Sequence, residues 1–179
     1  VGQQVSVAGA RTVLGALVRA AGQPIPNAVL PITHTFPTPD ALARLAVEQP
    51  AAFPMPASRR RALAAMAEAV AAGDLAIDPG ADPDALRTGL IKLHGIGPWT
   101  AAYVGMRALG DPDAFLPTDL GVRRAVAQLG QAGDPSSVNR IADRWRPWRA
   151  YAVAHLWSIP ILPSTARALS PTPSEVTAA

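Results

Sequence analysis

Residues 93–101 of this chain are Leu-His-Gly-Ile-Gly-Pro-Trp-Thr-Ala. Two glycines one residue apart end one apolar segment, and Pro98 begins another, which predicts a tight turn between two helices. Gly95 can adopt the left-handed conformation that ends a helix. Pro98 suits a first helical turn because its missing N–H needs no partner there. The amides from Gly97 onward then point out of the positive end of a helix, where an anion such as phosphate binds.

A bare Gly-x-Gly is also typical of an ordinary corner between packed helices, but further residues favour a binding turn. Residues 115–119 are Phe-Leu-Pro-Thr-Asp. The two segments resemble the helix-hairpin-helix motif and the catalytic segment of the HhH-GPD superfamily of DNA glycosylases, and the separation from Gly97 to Asp119 fits that family. Three more segments resemble its AlkA-type branch, the bacterial 3-methyladenine DNA glycosylase II enzymes: residues 3–7, 36–39 and 144–149.

The resemblance implies an all-α helix-hairpin-helix glycosylase fold, in which two helical lobes enclose a central cleft and the hairpin lies at its rim. The chain agrees with this, because apolar residues recur at helical spacing between Pro- and Gly-marked breaks and no convincing strand pattern occurs. We expect the glycosylase domain over residues 1–163, without the small β-rich domain that usually precedes it in this branch. The Ser-, Thr-, Pro- and Ala-rich residues 164–179 are expected to be a disordered tail.

Composition excludes several classes of protein. The 179 residues include no cysteine, which rules out disulfides, thiolate catalysis and cysteine-ligated zinc or iron–sulfur clusters. Hydrophobic residues make up 49% of the chain but form no long uninterrupted run, so we expect no membrane partner and no transmembrane helix. No leader for secretion is recognisable, and the predicted location is the bacterial cytoplasm, in association with DNA.

Basic residues are common, yet nearly all of them are arginine. Lys92 is the sole lysine among 16 basic residues, and the chain is rich in alanine and proline, which indicates a compositional bias. A single arginine is therefore weak evidence for a nucleic-acid contact. Arg59, Arg60 and Arg61 begin a predicted helix, although the helix dipole disfavours positive charge at that end. This cluster contacts either DNA phosphates or only solvent, and both interpretations remain open.

Asp119 is the predicted catalytic residue. Removing a damaged base breaks an N-glycosidic bond, and the transition state places positive charge on the sugar. A nearby carboxylate stabilises that cation and can direct an attacking water. The competing interpretation is a structural pair at a helix start, with Thr118 as the predicted cap. The separation of Asp119 from Gly97 and its Phe-Leu-Pro context favour catalysis.

By resemblance, Trp99, Tyr103 and Trp157 match the aromatic residues that hold the flipped base in this family. Alkylation leaves a purine cationic and electron-poor, so electron-rich aromatic faces favour it over normal bases. Trp99 and Tyr103 stand one helical turn apart and share a face. An aromatic pair in the core is the competing interpretation for them. Trp145 and Trp148 are predicted to be core residues.

The expected DNA contacts lie in two places. The hairpin residues Gly95, Gly97 and Thr100 are expected to bind the phosphate backbone. Gln4 stands where the best-known member of the branch has an apolar wedge that fills the gap left by the flipped nucleotide. A glutamine amide could fill that gap and hydrogen-bond the widowed base. A polar residue near a helix start is the other interpretation of Gln4.

Trp99 also limits the type of reaction. In related glycosylases that cut the DNA backbone, a lysine at this place in the hairpin attacks the sugar and forms a Schiff base. Here the place holds Trp99, and Lys92 lies on the preceding helix. The sequence therefore predicts hydrolysis by water, which leaves an abasic site and does not cleave the strand.

No cofactor is expected to be required. The family implies a structural monovalent or divalent cation at the hairpin, held by the backbone carbonyls of Ile91, Leu93 and Ile96. No acidic cluster or histidine pair suggests a metal ion in the chemistry itself.

Taken together, these features predict a monomeric, monofunctional DNA glycosylase. Its predicted substrate is double-stranded DNA with alkylated bases of the 3-methyladenine type, and its product initiates base excision repair. The alternatives are a non-catalytic DNA-binding module that uses the hairpin alone, and a purely structural helical domain. Asp119 discriminates between them, because only the enzyme requires it.

Overall fold

The computed structural model describes residues 5–28 and 32–160. Within these ranges the chain forms eight α-helices and three short helical turns, and its only strand-like feature is an isolated bridge between Pro24 and His34. The prediction of an all-α fold is confirmed. The α-helices are α1 (Val7–Ala21), α2 (Pro39–Glu48), α3 (Ala57–Ala71), α4 (Pro83–Lys92), α5 (Pro98–Val104), α6 (Leu120–Gln128), α7 (Pro135–Ala142) and α8 (Arg149–Ser158). The short turns are the 3₁₀ segments Pro50–Ala52 and Asp143–Trp145 and the π-helical segment Gly105–Leu109, which continues α5.

Local signals account for most helix starts. Thr38, Asp82 and Asp134 each accept a hydrogen bond from a backbone amide in the first turn of the helix that follows, and proline is the first residue of each of these helices. The structure differs at two other starts. The sequence predicts Ser58 as the cap of the third helix and Pro147 as the start of the last one. Helix α3 instead begins at Ala57 after Pro56, so that Ser58 lies inside it, and α8 begins at Arg149.

Two lobes divide the core. Helices α1 to α4 enclose two adjoining apolar clusters, whose buried members are Leu17, Leu42, Leu45, Phe53 and Ala67 in one and Leu75, Leu86, Leu90 and Ala101 in the other. Helices α6 to α8 enclose the third cluster with the segment before α6: Phe115, Leu116, Val122, Ala125, Val126, Val138, Ala142, Val153 and Leu156. The predicted two-lobe organisation is thus present in the described residues.

Helix α5 joins the lobes. Ala101 on one side of this helix is buried in the cluster of α4, whereas Trp99, Ala102 and Tyr103 pack against the cluster of α6 to α8. The helix that begins at the hairpin therefore contributes its aromatic face to the boundary between the lobes. Side chains from both lobes can meet at that boundary.

Some predictions fall outside the described residues. These are Gln4, the domain boundary at residue 163 and the tail 164–179. The prediction for Trp148 is wrong, because 58% of this residue is exposed, while Trp145 packs against the core as predicted. Trp148 immediately precedes α8 and packs edge-on against the exposed Tyr151 rather than under the helix. None of the described helices combines the length and apolar character needed to cross a bilayer.

Candidate active site

Asp119 lies where the lobes meet, and three N–H groups converge on its carboxylate. Oδ1 accepts hydrogen bonds from the backbone amide of Val122 at 2.9 Å and from Nε1 of Trp157 at 2.9 Å. Oδ2 accepts one from Nε1 of Trp99 at 3.1 Å. Trp99 comes from the hairpin helix α5 and Trp157 from the last turn of α8. The carboxylate is therefore oriented by three different helices.

The hydrogen bond from Val122 corrects the predicted cap. Asp119 itself is the N-cap of α6, whereas Thr118 lies one residue before the cap and is exposed. Asp119 has the extended backbone that an N-cap adopts, and its short carboxylate reaches the amide three residues ahead. Capping and catalysis are not exclusive here, because capping uses only Oδ1. The cap bond holds the other oxygen towards Trp99 and the boundary between the lobes.

The predicted pocket residues form one aromatic wall beside this carboxylate. The rings of Trp99 and Tyr103 stack with centroids 5.2 Å apart and planes 10° from parallel. Tyr103 meets Trp157 at 6.2 Å with a tilt of 50°. Trp99 and Tyr103 are half-buried and Trp157 is 37% exposed, so the wall lies at the surface of the core rather than inside it. The structure thus places the three rings next to one another, and their role in holding a base stays a prediction.

Gly121 is a residue of this site that sequence reasoning missed. A Cβ atom at this position would lie 3.1 Å from Oδ1 of Asp119 and 3.2 Å from Cδ1 of Trp157. Its absence lets the indole approach the carboxylate. A glycine in the first turn of a helix whose N-cap is a candidate catalytic residue was the available signal.

The hairpin has the predicted turn. Gly95 has a φ of +88°, and the amide of Ile96 donates to the carbonyl of Leu93 at 3.0 Å. A Cβ at Gly95 would lie 3.1 Å from Cβ of Ala62, so the turn packs closely against helix α3. At Gly97 no atom lies within 4 Å of an added Cβ. Gly97 is exposed, and its amide has no acceptor among the described residues.

The other hairpin predictions concern Thr100 and the three carbonyls. Thr100 is half-buried in the first turn of α5. Ile91 lies in the last turn of α4, and Leu93 and Ile96 flank the turn, so the three carbonyls belong to one short stretch of chain. In the described residues, no group of three or more His, Cys, Asp or Glu side chains could hold a metal.

A second carboxylate on the same loop has very different partners. Asp113 accepts two hydrogen bonds from the guanidinium of Arg149, from Nε to Oδ1 at 2.7 Å and from Nη2 to Oδ2 at 2.8 Å. Nη1 of Arg146 donates to Oδ2 at 2.5 Å. Burial raises the pKa of Asp113, but the hydrogen bonds and charge of Arg149, with the charge of Arg146, outweigh it and leave the pKa below its ordinary value. Sequence reasoning missed this cluster.

An open pocket of about 690 Å³ lies beside Trp99, and Asp113, Arg146 and Arg149 form part of its wall. Asp119, Tyr103 and Trp157 do not line it. The pocket therefore does not contain the carboxylate of Asp119 on which the three N–H groups converge. We assign the site by those hydrogen bonds, because bond breaking requires a placed charge more than a large volume.

Comparison with known proteins identifies the family. A family model described as HhH-GPD superfamily base excision DNA repair protein matches residues 1–150. The chain belongs to this superfamily. The match includes both the hairpin and Asp119, and the predicted superfamily is confirmed.

Relatives within the HhH-GPD superfamily confirm the AlkA-type branch. The chain is 42% identical over 156 residues to a Mycobacterium tuberculosis protein named as a probable bifunctional transcriptional activator/DNA repair enzyme AlkA, a match that covers 87% of this chain and 31% of that protein. It is 35% identical over 157 residues to DNA-3-methyladenine glycosylase 2 of Escherichia coli K12, which covers 87% and 53%. The chain thus spans about a third to a half of the length of these relatives.

A solved structure agrees with the fold. The 3-methyladenine DNA-glycosylase from Archaeoglobus fulgidus superposes with a TM-score of 0.72 at 25% identity, over 87% of this chain and 53% of that one. The HhH-GPD fold is therefore supported by both sequence and backbone geometry.

Proposed function

We propose that this HhH-GPD chain is a monofunctional DNA glycosylase that hydrolyses the N-glycosidic bond of alkylated bases, of the 3-methyladenine type, in double-stranded DNA. The abasic site that it leaves would begin base excision repair. The observation that carries the proposal is the carboxylate of Asp119, held by the indole N–H groups of Trp99 and Trp157 beside a stacked aromatic pair. The names of the relatives support the same reaction.

Asp119 supplies the charge for bond breaking. As the base leaves, positive charge develops on the sugar, and a fixed carboxylate stabilises the transition state more than the ground state. Among the residues that the structure describes, its hydrogen-bond partners are neutral N–H donors, and none of them is a cation that would cancel its negative charge. The same oxygens can direct a water towards the sugar.

Trp99, Tyr103 and Trp157 select the base. A base must leave the duplex to reach Asp119. The free-energy cost of leaving is lower for an alkylated base, because its pairing is already weakened. Once flipped, a cationic purine stacks well on electron-rich rings. Stacking reads charge and shape rather than a pattern of hydrogen bonds, which suits an enzyme for several damaged bases.

The hairpin is the proposed contact with the DNA backbone. The exposed amide of Gly97 lies at the positive end of α5, where a phosphate oxygen can accept its hydrogen bond. Helix α3 packs against this turn through Ala62, one helical turn after Arg59. Arg59 and Arg61 have no carboxylate partner among the described residues, which favours the phosphate interpretation of the arginine cluster over solvation alone.

A structural cation at the hairpin is part of the proposal. The carbonyls of Ile91, Leu93 and Ile96 are suitable ligands, since the C-terminal end of α4 carries partial negative charge. The carbonyl of Leu93 already accepts the amide of Ile96 and retains a second lone pair. Such an ion would neutralise a bound phosphate and would take no part in bond breaking. We further propose that the protein acts as a monomer on DNA in the cytoplasm.

The reaction should proceed without a covalent intermediate. Trp99 occupies the hairpin place of the lysine in strand-cleaving relatives, and its nitrogen is engaged with Asp119. Lys92 is the only lysine of the chain and is exposed in the last turn of α4. No lysine amine in the chain therefore stands at the hairpin place.

The test is release of bases from methylated duplex DNA, with products resolved and unmethylated DNA of the same sequence as the control. We expect free 3-methyladenine, strands that stay joined until alkali or heat is applied, and no adduct after borohydride. Binding to DNA without base release would favour the non-catalytic hairpin module. A trapped adduct would exclude the monofunctional reaction.

A further inference from the structure

The loop from Gly110 to Asp119 is attached to helix α8 at two separate points. At its beginning, Asp113 receives the guanidinium of Arg149, the first residue of α8. At its end, Asp119 receives the indole of Trp157 from the last turn of the same helix. The two attachment points on α8 are eight residues apart, which is about 12 Å along the helix axis.

The attachment at Asp113 is the more enclosed of the two. The side chain of Arg149 is 13% exposed and that of Asp113 is 25% exposed. The guanidinium lies 5.9 Å above the ring of Phe115, and the amide of Ala150 donates to the carbonyl of Pro112 at 2.9 Å. Both carboxylate oxygens and two guanidinium nitrogens are used. A two-pronged pair of this kind sets the relative orientation of its two segments as well as their distance.

We propose that Asp113 is a positioning residue for base release, acting through Arg149 to set the register between the loop and α8, so that Trp157 reaches Asp119. The inference rests on the proposed function for the reaction that it affects. Asp113 itself is hydrogen-bonded to Arg146, Arg149 and Asp111 and not to Asp119, Trp99 or Trp157. Its effect on the reaction passes through the backbone of the loop and through the rigid helix.

Two observations argue that the register at α8 needs such control. Gly121 leaves just enough room for the indole, since a Cβ there would approach Trp157 to 3.2 Å. Trp157 is also 37% exposed, so the core alone does not enclose its ring. A small shift of α8 along the loop would separate Nε1 of Trp157 from Oδ1 of Asp119. The bond from the amide of Val122 would persist, because Val122 is only three residues from Asp119 in the chain. The lowered pKa of Asp113 is consistent with a pair that stays ionised at neutral pH.

The proposal predicts that the Asp113–Arg149 pair affects the chemical step and not the binding of DNA. Pro98 and Trp99 line the same pocket as the pair, but no hydrogen bond or ion pair joins Gly97 to Asp113 or Arg149. Weakening the pair should therefore lower the rate of the chemical step and leave the affinity for DNA nearly unchanged. A misplacement of about 1 Å in a site of this kind can cost up to about 100-fold in rate.

The experiment compares Asp113→Asn and Arg149→Lys with the wild type. The first removes the charge at constant size, and the second keeps the charge but removes the fork. Asp84→Asn is the matched control, because it breaks the exposed ion pair Arg87–Asp84 with the same change in net charge. All proteins are compared at a temperature well below their unfolding midpoints.

The first readout is the indole N–H signal of Trp157 in a ¹H–¹⁵N spectrum, which resolves the four tryptophans and is assigned with Trp157→Phe. The second is single-turnover base release, with the dissociation constant for the same DNA. We expect the Trp157 signal to move in both variants of the Asp113–Arg149 pair and the rate to fall by up to about tenfold. The dissociation constant should change less than about twofold, and Asp84→Asn should match the wild type in all three quantities.

A Trp157 signal that stays unchanged in both Asp113→Asn and Arg149→Lys overturns the proposal, and so does a wild-type rate of base release in either of them. Should Asp113→Asn fail to fold, Arg149→Lys decides alone. If the wild-type protein releases no base, the proposed function fails, and the indole signal still decides whether Asp113 sets the register.

Discussion

Asp113 and Asp119 lie on the same loop, six positions apart, and their surroundings differ in one respect that matters for chemistry. Asp113 is paired with the cations Arg146 and Arg149. Asp119 is held by neutral N–H groups of Trp99, Trp157 and the backbone. A carboxylate paired with guanidinium groups has its charge cancelled locally and serves as a mechanical link. A carboxylate held by neutral donors keeps its net charge and can stabilise a cation that develops beside it.

The difference also explains why two indoles, rather than two arginines, orient Asp119. An arginine in place of Trp99 would hold the carboxylate more strongly, but it would compete with the sugar cation for the same negative charge. Indole donates one hydrogen bond and carries no charge. It also presents an aromatic face, which the stacked pair with Tyr103 uses. The comparison predicts a ranked set of effects.

The largest effect is expected from Asp119→Asn. Asparagine keeps the shape and can still accept the amide of Val122, but it lacks the charge that faces the sugar. Base release from methylated DNA should fall about 100- to 1,000-fold, with only a small change in the unfolding midpoint. Single-turnover release with resolved products measures the effect. A wild-type rate in this variant would reduce Asp119 to a helix cap and favour the non-catalytic module.

A smaller effect is expected from Trp157→Phe. Phenylalanine preserves an aromatic face towards Tyr103 but cannot donate to Oδ1 of Asp119. The rate should fall about tenfold, which corresponds to about 1.4 kcal/mol, the range of one hydrogen bond to a charged group. Release of 3-methyladenine under saturating protein is the measurement. Equal rates for Trp157→Phe and wild type would show that Val122 and Trp99 suffice to orient the carboxylate.

Gly97→Val should weaken the binding of duplex DNA and leave the rate of base release nearly unchanged. The backbone of Gly97 has a φ of −94°, and an added Cβ meets no atom within 4 Å, so the fold should tolerate the side chain. Valine would instead obstruct a phosphate at the amide. Affinity for duplex DNA should fall several-fold, while the rate at saturating DNA should stay near that of the wild type. Gly95 offers no such clean variant, because its φ is +88° and Ala62 is close. Unchanged affinity in salt titrations would contradict the hairpin as a phosphate site.

The smallest effect is on the free energy of unfolding, and it depends on pH. Asp113→Asn should lower the free energy of unfolding by about 1 kcal/mol at pH 7, since charge-assisted hydrogen bonds are lost at a pair that solvent partly screens. The pKa of Asp113 in the folded protein lies below the ordinary value of 3.8. Its stabilisation is therefore fully present above pH 3.8 and is lost as the pH falls through the lowered pKa.

The groups that face Asp113 support this assignment. Besides Arg146 and Arg149 these are Asp143, which is bonded to Arg146 at 3.3 Å, and Asp111, which accepts the amide of Asp113. Denaturant unfolding of wild type and variant should therefore converge below pH 3.8. A difference that stays constant down to pH 2 would show that the pair does not depend on the ionised carboxylate.

The sequence predicted what depends on neighbouring residues. Glycine and proline place the hairpin turn at residues 93–98, because few other residues adopt a left-handed φ or begin a helix without an amide. The caps at Thr38, Asp82 and Asp134 follow from the same short-range preferences. Asp119 and its aromatic neighbours were predicted by resemblance to a family, since spacing along the chain does not by itself bring residue 157 to residue 119.

The tertiary structure alone decided the features that depend on long-range packing. It made Asp119 rather than Thr118 the cap of α6, because the orientation of the preceding loop selects which side chain reaches the amide of Val122. It left Trp148 exposed, because an apolar residue just before a helix is buried only where another element covers it. It also joined Asp113 to Arg149, 36 residues away. A charged pair of this kind leaves no periodic pattern in the sequence, and only the packed arrangement of loop and helix brings its members together.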